Sequence, residues 1–190
     1  ELRSFQRMAG HPTLHFFGSA RELLESHCKT GLIVSPFSEK IVNTESRYLQ
    51  VIPSSIIVGM GCHRGIAEQE IERELTAVLK RKGLAWQAIA AVCTIDRKKN
   101  ETGLLAFSKR HNIPLRFFTP GQISRVRGPS PDSRHALRVM GVQGVAEPCA
   151  LLGAEGGVLI VKKIKRANMT IAIAQKPLQQ VFDERGVADD

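Results

Sequence analysis

The sequence predicts an α/β fold, a three-layer-like, mainly parallel sheet flanked by helices, preceded by a small partial α/β segment. Three observations predict it. Short continuous apolar runs, Ile56-Ile-Val58 and Ala88-Ile-Ala-Ala-Val-Cys-Thr94, read as strands buried on both faces. They alternate with stretches of helical periodicity, the signature of βαβ units. The composition, 43% hydrophobic and 24% charged over 190 residues, suits one packed domain with room for a short second unit.

From the amino end, residues 1–53 form the partial segment. Thr13–Phe17 reads as a strand, Ser19 caps a short helix over Ala20–Ser26, and Gly31–Ser35 and Arg47–Ile52 read as two further strands. Their apolar content is too small to close a core, so the segment is expected either to pack on the larger domain after it or to have belonged to a larger neighbour. Pro53-Ser-Ser55 marks the boundary, and the main domain spans residues 54–175. Its first strand, Ile56–Val58, leads into Gly59-Met-Gly-Cys-His-Arg-Gly65, read as a glycine-rich loop. Ile66, Ile71, Leu75, Val78 and Leu79 then recur near helical spacing. Glu68, Glu70, Glu72 and Glu74 crowd the early turns and Lys80, Arg81 and Lys82 the last, matching the helix dipole, and Gly83 supplies the stop.

The second strand, Ala88–Thr94, opens into a polar loop, Asp96–Glu101. Next come a helix over Gly103–Arg110, with Leu104, Leu105 and Phe107 inward, and a strand over Ile113–Phe118. Gly128-Pro-Ser-Pro131 breaks the pattern, and Asp132 caps a helix to Met140. A short helix over Val145–Leu152 ends in glycines, and strands Val158–Val161 and Met169–Ala174 close the domain. Residues 176–190 are a polar tail, with fraying expected from Gln175 onward.

Lys and Arg number 27 against 18 Asp and Glu, a formal charge of +9. Such a surface attracts polyanions: nucleic acid, an anionic membrane or a small polycarboxylate. One Trp and one Tyr leave few stacking platforms, and no zinc-finger or RNP motif is present, so no nucleic acid is expected. No apolar run approaches the ~20 residues of a membrane-spanning helix, so no membrane partner is expected. Cys28, Cys62, Cys93 and Cys149 form no CxxC pair and the six histidines are dispersed, so no metal site is predicted. Reduced cysteines and the lack of an apolar secretory segment point to the cytoplasm. The amino terminus, without a starting Met, reads as a cut edge.

A glycine-rich strand-to-helix turn exposes backbone N–H groups beside the positive end of a helix and can hold an anion. The Gly-x-Gly-x-x-x-Gly spacing is one residue off the dinucleotide fingerprint, and no P-loop Lys-Ser/Thr comes after it. That leaves a carboxylate site around Gly59, Gly61 and Cys62, or a plain tight turn. Cys62 is either activated by the helix terminus and Arg64 or simply packed. Asp96–Glu101 leaves the carboxyl end of a strand, where open α/β sheets place ligands. There Asp96 and Glu101 can share acid and base duties with Lys98 holding carboxylates. On composition alone, Glu101 favouring a helix start and the lysines facing solvent is the plainer reading. Glu147 suits a first-turn dipole partner. Asn168 either binds a ligand or shapes a turn. The run Lys162–Arg166 either guards a sheet edge or adds to an anion-binding rim.

Five segments occur in order: Gly59-x-Gly-Cys-x-x-Gly65, Thr94-Ile-Asp-x-Lys98, Glu101-x-Gly-Leu104, Val145-Ala-Glu-x-x-Ala-Leu-Leu152 and Asn168-x-Thr-x-Ala-x-Ala174. Together they resemble the carboxy-terminal domain of the cobalamin-biosynthesis family CbiG, with its shorter relative CobE, over about Ile56 to Ala174. The resemblance implies a place in the anaerobic corrin pathway, as part of a cobalt-precorrin-5A hydrolase that opens the ring-A lactone with water and releases acetaldehyde. It implies a corrinoid tetrapyrrole polycarboxylate as substrate, other enzymes of that pathway as partners, and no protein-bound cofactor, the cobalt travelling with the substrate. It gives Glu101 and Asp96 acid–base roles and sets Gly59, Gly61, Cys62, Arg64, Lys98, Glu147 and Asn168 against the substrate. Residues 1–53 then correspond to a remnant of the family's variable middle region. Two departures stand out. The family's Gly-His-x-Gly-Gly-Ala-Asn-type motif has no counterpart in this sequence, and Asn100 replaces a commonly acidic residue. The alternative expectation is a CobE-like, non-catalytic module that binds or hands over corrinoid intermediates.

Overall fold

The computed structural model describes residues 22, 30–38, 47–126 and 144–177. In chain order the elements are β1 (Thr30–Val34), β2 (Arg47–Val51), β3 (Ile56–Cys62), α1 (Glu68–Lys82), β4 (Ile89–Ile95), α2 (Thr102–His111), β5 (Leu115–Phe118), α3 (Pro120–Arg125), α4 (Ala146–Ala154), β6 (Val158–Lys165) and β7 (Met169–Gln175). A five-stranded sheet runs in the order β5-β4-β3-β7-β6. β3, β4 and β5 are parallel, β7 is antiparallel to β3, and β6 is antiparallel to β7. Four strands therefore share a direction and β7 opposes them. The short link between β6 and β7 permits only an antiparallel pair, which is why the mainly parallel sheet is mixed at this side.

Side chains alternate across the pleat and divide the core in two. Ile56, Val58, Met60 and Cys62 of β3 pack with Ile71, Leu75 and Val78 of α1 and Leu104 and Phe107 of α2. On the other face, Ile57, Ala91, Cys93 and Ile95 pack with Cys149, Ala150 and Ala154 of α4 and Ile123 of α3. Helices thus cover both faces, as the buried apolar runs require.

α1 has the predicted charge gradient and buries Ile71, Leu75, Val78 and Leu79, whereas Ile66, expected within the helix, is buried in the turn before it; Gly83 ends α1 in the left-handed conformation (φ 66°), its N–H reaching Leu79 and Lys80 carbonyls. α2 buries Leu104 and Phe107, but Leu105, expected inward, is 45% exposed. Residues 104 and 107 are nearly one turn apart, whereas 105 is rotated ~100° away. α3 has no counterpart among the expected elements. Its start is nevertheless written in the sequence, since Thr119 and Gln122 form a capping box with Pro120 in the first turn. β6 runs through the basic segment to Lys165 rather than stopping at Val161, and it is an edge strand, which fits the guarding role of those lysines. Gln175 closes β7 instead of starting a tail, and the buried Lys176 donates its N–H to the Ser55 carbonyl.

β1 and β2 form a separate parallel pair. They rest on the end of α1: Ala85 N–H donates to the Pro36 carbonyl at 2.9 Å and Ser38 N–H to that of Gly83 at 2.7 Å. A segment too small to close its own core is held by its neighbour. The strand expected at Thr13–Phe17, the helix expected at Asp132–Met140, and the helix at Ala20–Ser26 apart from the helical Glu22 lie outside the described residues.

Candidate functional site

The expected glycine loop is mostly strand. β3 continues to Cys62, with Gly59, Gly61 and Cys62 opposite Ala172, Thr170 and Met169 of β7. Gly59 is small because α4 lies against it; a Cβ there would overlap the Ala146 carbonyl oxygen. Cys62 is buried, and its thiol is pushed up to about 11, chiefly by burial, with Lys98 pulling down and Glu101 pushing up. Such a thiol packs; it does not act as a nucleophile at neutral pH.

The turn itself is residues 63–67, and it does hold an anion, one supplied by the chain. Gly65 N–H donates to Glu101 Oε1 at 2.7 Å, and Lys98 Nζ donates to Glu101 Oε2 at 2.9 Å. A 3₁₀ turn over Asp96–Lys98 brings the Lys98 side chain back under the rim, and each partner is only 8% exposed. Gly103, two residues on, lets α2 start against the same turn, since a Cβ would overlap the Ile66 carbonyl oxygen. Burial alone would raise the Glu101 pKa. The hydrogen bonds from Lys98 and Gly65 and the charges of Lys98 and Arg64 outweigh it and hold the carboxyl below its ordinary range. With both oxygens engaged and its proton gone, Glu101 is a strut locking the turns after β3 and β4 together. Lys98 is committed to it, and the exposed cations at this rim include Arg64 and Lys99.

Asp96 is half-buried beside this pair and its Oδ1 has no hydrogen-bond partner; the buried Thr94 Oγ1 has none either. Asn168 lies at the same end of the sheet, in the β6–β7 turn. It accepts from His63 N–H at 2.9 Å through its carbonyl and donates from Nδ2 to Glu70 Oε1 at 2.7 Å. Arg166 reaches Glu74 at 3.3 Å, so this turn is tied to α1 twice. Glu147 is buried in the first turn of α4, across the sheet. Its Oε1 accepts the Lys163 N–H at 2.8 Å, where a shift in the β6–β7 register interrupts the ladder.

The structure therefore gathers Arg64, Asp96, Lys98 and Glu101 with Cys62 at the carboxyl ends of β3 and β4, sets Asn168 on the same rim, and places Glu147 on the opposite face. Sequence reasoning missed the Gly65–Glu101 bond and the orphaned Thr94 hydroxyl. The first joins residues 36 apart, and the second depends on burial, so neither has a local signal. Among the described residues, one group brings metal-ligating atoms within 4.8 Å of one another: Glu68, Glu72 and His111. Arg110 pairs with Glu68 at 3.2 Å and His111 lies 3.6 Å from Glu72, contacts that join α1 to α2. No helix among the described residues is long and apolar enough to cross a membrane.

The family model described as Cobalamin synthesis G C-terminus matches residues 56–174. A cobalt-precorrin-5A hydrolase of Priestia megaterium is 31% identical over 125 residues, 66% of this chain and 33% of that protein. Protein CobE of Sinorhizobium sp is 30% identical over 126 residues, 64% of this chain and 80% of that one. The crystal structure of CobE, a protein from the cobalamin (vitamin B12) biosynthetic pathway, matches with a TM-score of 0.61 at 29% identity, covering 67% of this chain and 95% of that one. This chain thus spans about a third of the length of the Priestia hydrolase. The matched span takes in β3 to β7 and the Glu101 lock, and the chain belongs to the cobalamin synthesis G carboxy-terminal family.

Proposed function

We propose that this chain serves cobalamin biosynthesis in the cytoplasm as part of a cobalt-precorrin-5A hydrolase, binding the corrinoid and opening its ring-A lactone. The observation that carries this reading is the family match over a rim whose two turns are locked by one buried ion pair. Hydrolysis of a lactone needs an activated water and a group that moves a proton. Asp96 takes that role, because its Oδ1 is uncommitted whereas both Glu101 oxygens are engaged. Arg64 and Lys99, exposed on the rim, meet acetate and propionate groups of the macrocycle. Glu101 and Lys98 fix the geometry of both turns. The cobalt belongs to the substrate.

The test is release of acetaldehyde from cobalt-precorrin-5A by the purified protein. Wild-type protein is expected to turn over, D96N to lose at least about 100-fold in kcat, and R64A to raise KM with kcat little changed. Wild-type protein that binds the corrinoid without releasing acetaldehyde would sink the hydrolase reading.

A further inference from the structure

We propose that Glu68, Glu72 and His111 bind one divalent transition-metal ion of the zinc class between α1 and α2. The inference stands apart from the hydrolase reading and uses none of its residues. Glu68 and Glu72 stand one helical turn apart on α1, and His111 ends α2. The three offer ligand atoms that all lie within 4.8 Å of one another.

The imidazole separates this group from an ordinary cluster of surface charges. His111 Nε2 is enclosed and has no hydrogen-bond partner. Glu72 Oε2 lies 3.6 Å from it, too far for a hydrogen bond. Two ligands that each bind one ion at ~2.05 Å with a tetrahedral angle stand ~3.4 Å apart. The separation is thus close to that of two atoms sharing a metal rather than a proton. The Phe107 and Trp86 rings, with centroids 4.8 Å and 5.1 Å from that of His111, hold the imidazole in place, as the surroundings of a metal-binding histidine must. The side chains of Glu72 and Glu68 are 35% and 17% exposed. An ion therefore enters from solvent past the carboxylates and settles between the donors, with no water-sized space needed at the nitrogen itself.

The donor set selects the ion. One imidazole with two carboxylates suits zinc and its first-row neighbours, whereas magnesium and calcium take shells of oxygen. Three protein ligands leave the fourth tetrahedral position to water. The ion's charge offsets that of the two glutamates. Arg110 already supplies part of this, since its Nη1 pairs with Glu68 Oε1 at 3.2 Å. It is a weak competitor, because its side chain is 57% exposed and exposed ion pairs contribute little. An ion held here ties α1 to α2, so occupancy stabilises the folded chain by mass action. No local spacing announces the site, because its donors come from two helices.

Zinc and cobalt(II) ions added to the chelator-stripped full chain test this. The wild type is expected to bind zinc, to gain the visible d–d absorption of tetrahedral cobalt(II), and to show a thermal midpoint that rises with zinc but not with magnesium. H111A and E72Q are each expected to lose one bound equivalent, or to weaken it at least ~10-fold, together with that absorption. R110A is expected to bind zinc severalfold more tightly, because it frees Glu68; loss of a merely structural contact would not do so. E72Q carries the test if H111A does not fold, since Glu72 is partly exposed. Zinc binding that persists unchanged in H111A, or in E72Q where H111A does not fold, overturns the inference. So does R110A binding no more tightly than the wild type, or a wild type without the cobalt absorption.

Discussion

Glu101 shows how neighbours convert a weak acid into a fixed anion. Its folded pKa lies below the ordinary value of 4.5, so its contribution to stability is present above that value and is lost as pH falls through the folded pKa. The urea midpoint is therefore expected to drop on acidification below about pH 4.5, and E101Q to flatten that drop. At neutral pH, E101Q strands a buried ammonium and should cost about 3–5 kcal/mol. The double variant K98M/E101Q removes the stranded charge while leaving the glutamine oxygen for Gly65 N–H. It is expected to be less destabilised than E101Q alone, read from the same urea midpoints; a double variant as unstable as the sum of the singles would argue against a coupled pair. Cys62 makes the complementary case. With its thiol pushed up to about 11, it should resist alkylation at pH 8 in the folded protein and react on denaturation, as mass spectrometry of the modified peptide would show. The i, i+3 spacing of Lys98 and Glu101 is visible in the sequence. Their burial is not, because it depends on α2 starting hard against a turn some 36 residues upstream.

At the scale of elements, a glycine in a sequence states that a Cβ is unwelcome without stating why. Gly59 and Gly61 suggest a loop because turns are the commonest reason, whereas the reason here is the close approach of α4 and of Thr170 to the middle of a strand. Replacing Gly59 with Ala forces backbone of α4 away from β3 and should cost about 1–3 kcal/mol, measured as a fall in the thermal midpoint. Gly103→Ala should push the start of α2 from the Ile66 carbonyl and loosen the Gly65–Glu101 bond, so that the acid-sensitive part of its stability shrinks along with the total. Unchanged acid sensitivity in that variant would uncouple the glycine from the lock. α1, by contrast, is legible nearly to the residue, since its periodicity, charge gradient and Gly83 are all local. β6 is longer than its apolar run because Lys162 and Lys163, which look like the end of a strand, are ordinary strand residues on a sheet edge.

For the whole molecule, alternating apolar runs and helical periods are enough to name the three layers, because that pattern leaves few other ways to bury both faces of a sheet. The pattern does not fix where functional groups converge, which depends on strand order: placing β3 beside β4 brings both of their carboxyl-terminal turns to one rim. The formal charge of +9 likewise says nothing of location. If recognition of an acid-fringed macrocycle resides at the rim, its dependence on charge must be local. α1 begins at the rim and runs 15 residues, so Lys80 and Arg81 lie ~20 Å away, about two Debye lengths at 0.1 M salt. R64E/K99E and K80E/R81E change net charge by the same amount at opposite ends of that helix. Corrinoid affinity, titrated by the absorbance of the macrocycle, should fall about tenfold or more in the first and change little in the second, with the gap narrowing as salt rises. Equal losses from the two variants would mean that the overall field, not the rim formed by the turns after β3 and β4, attracts the substrate.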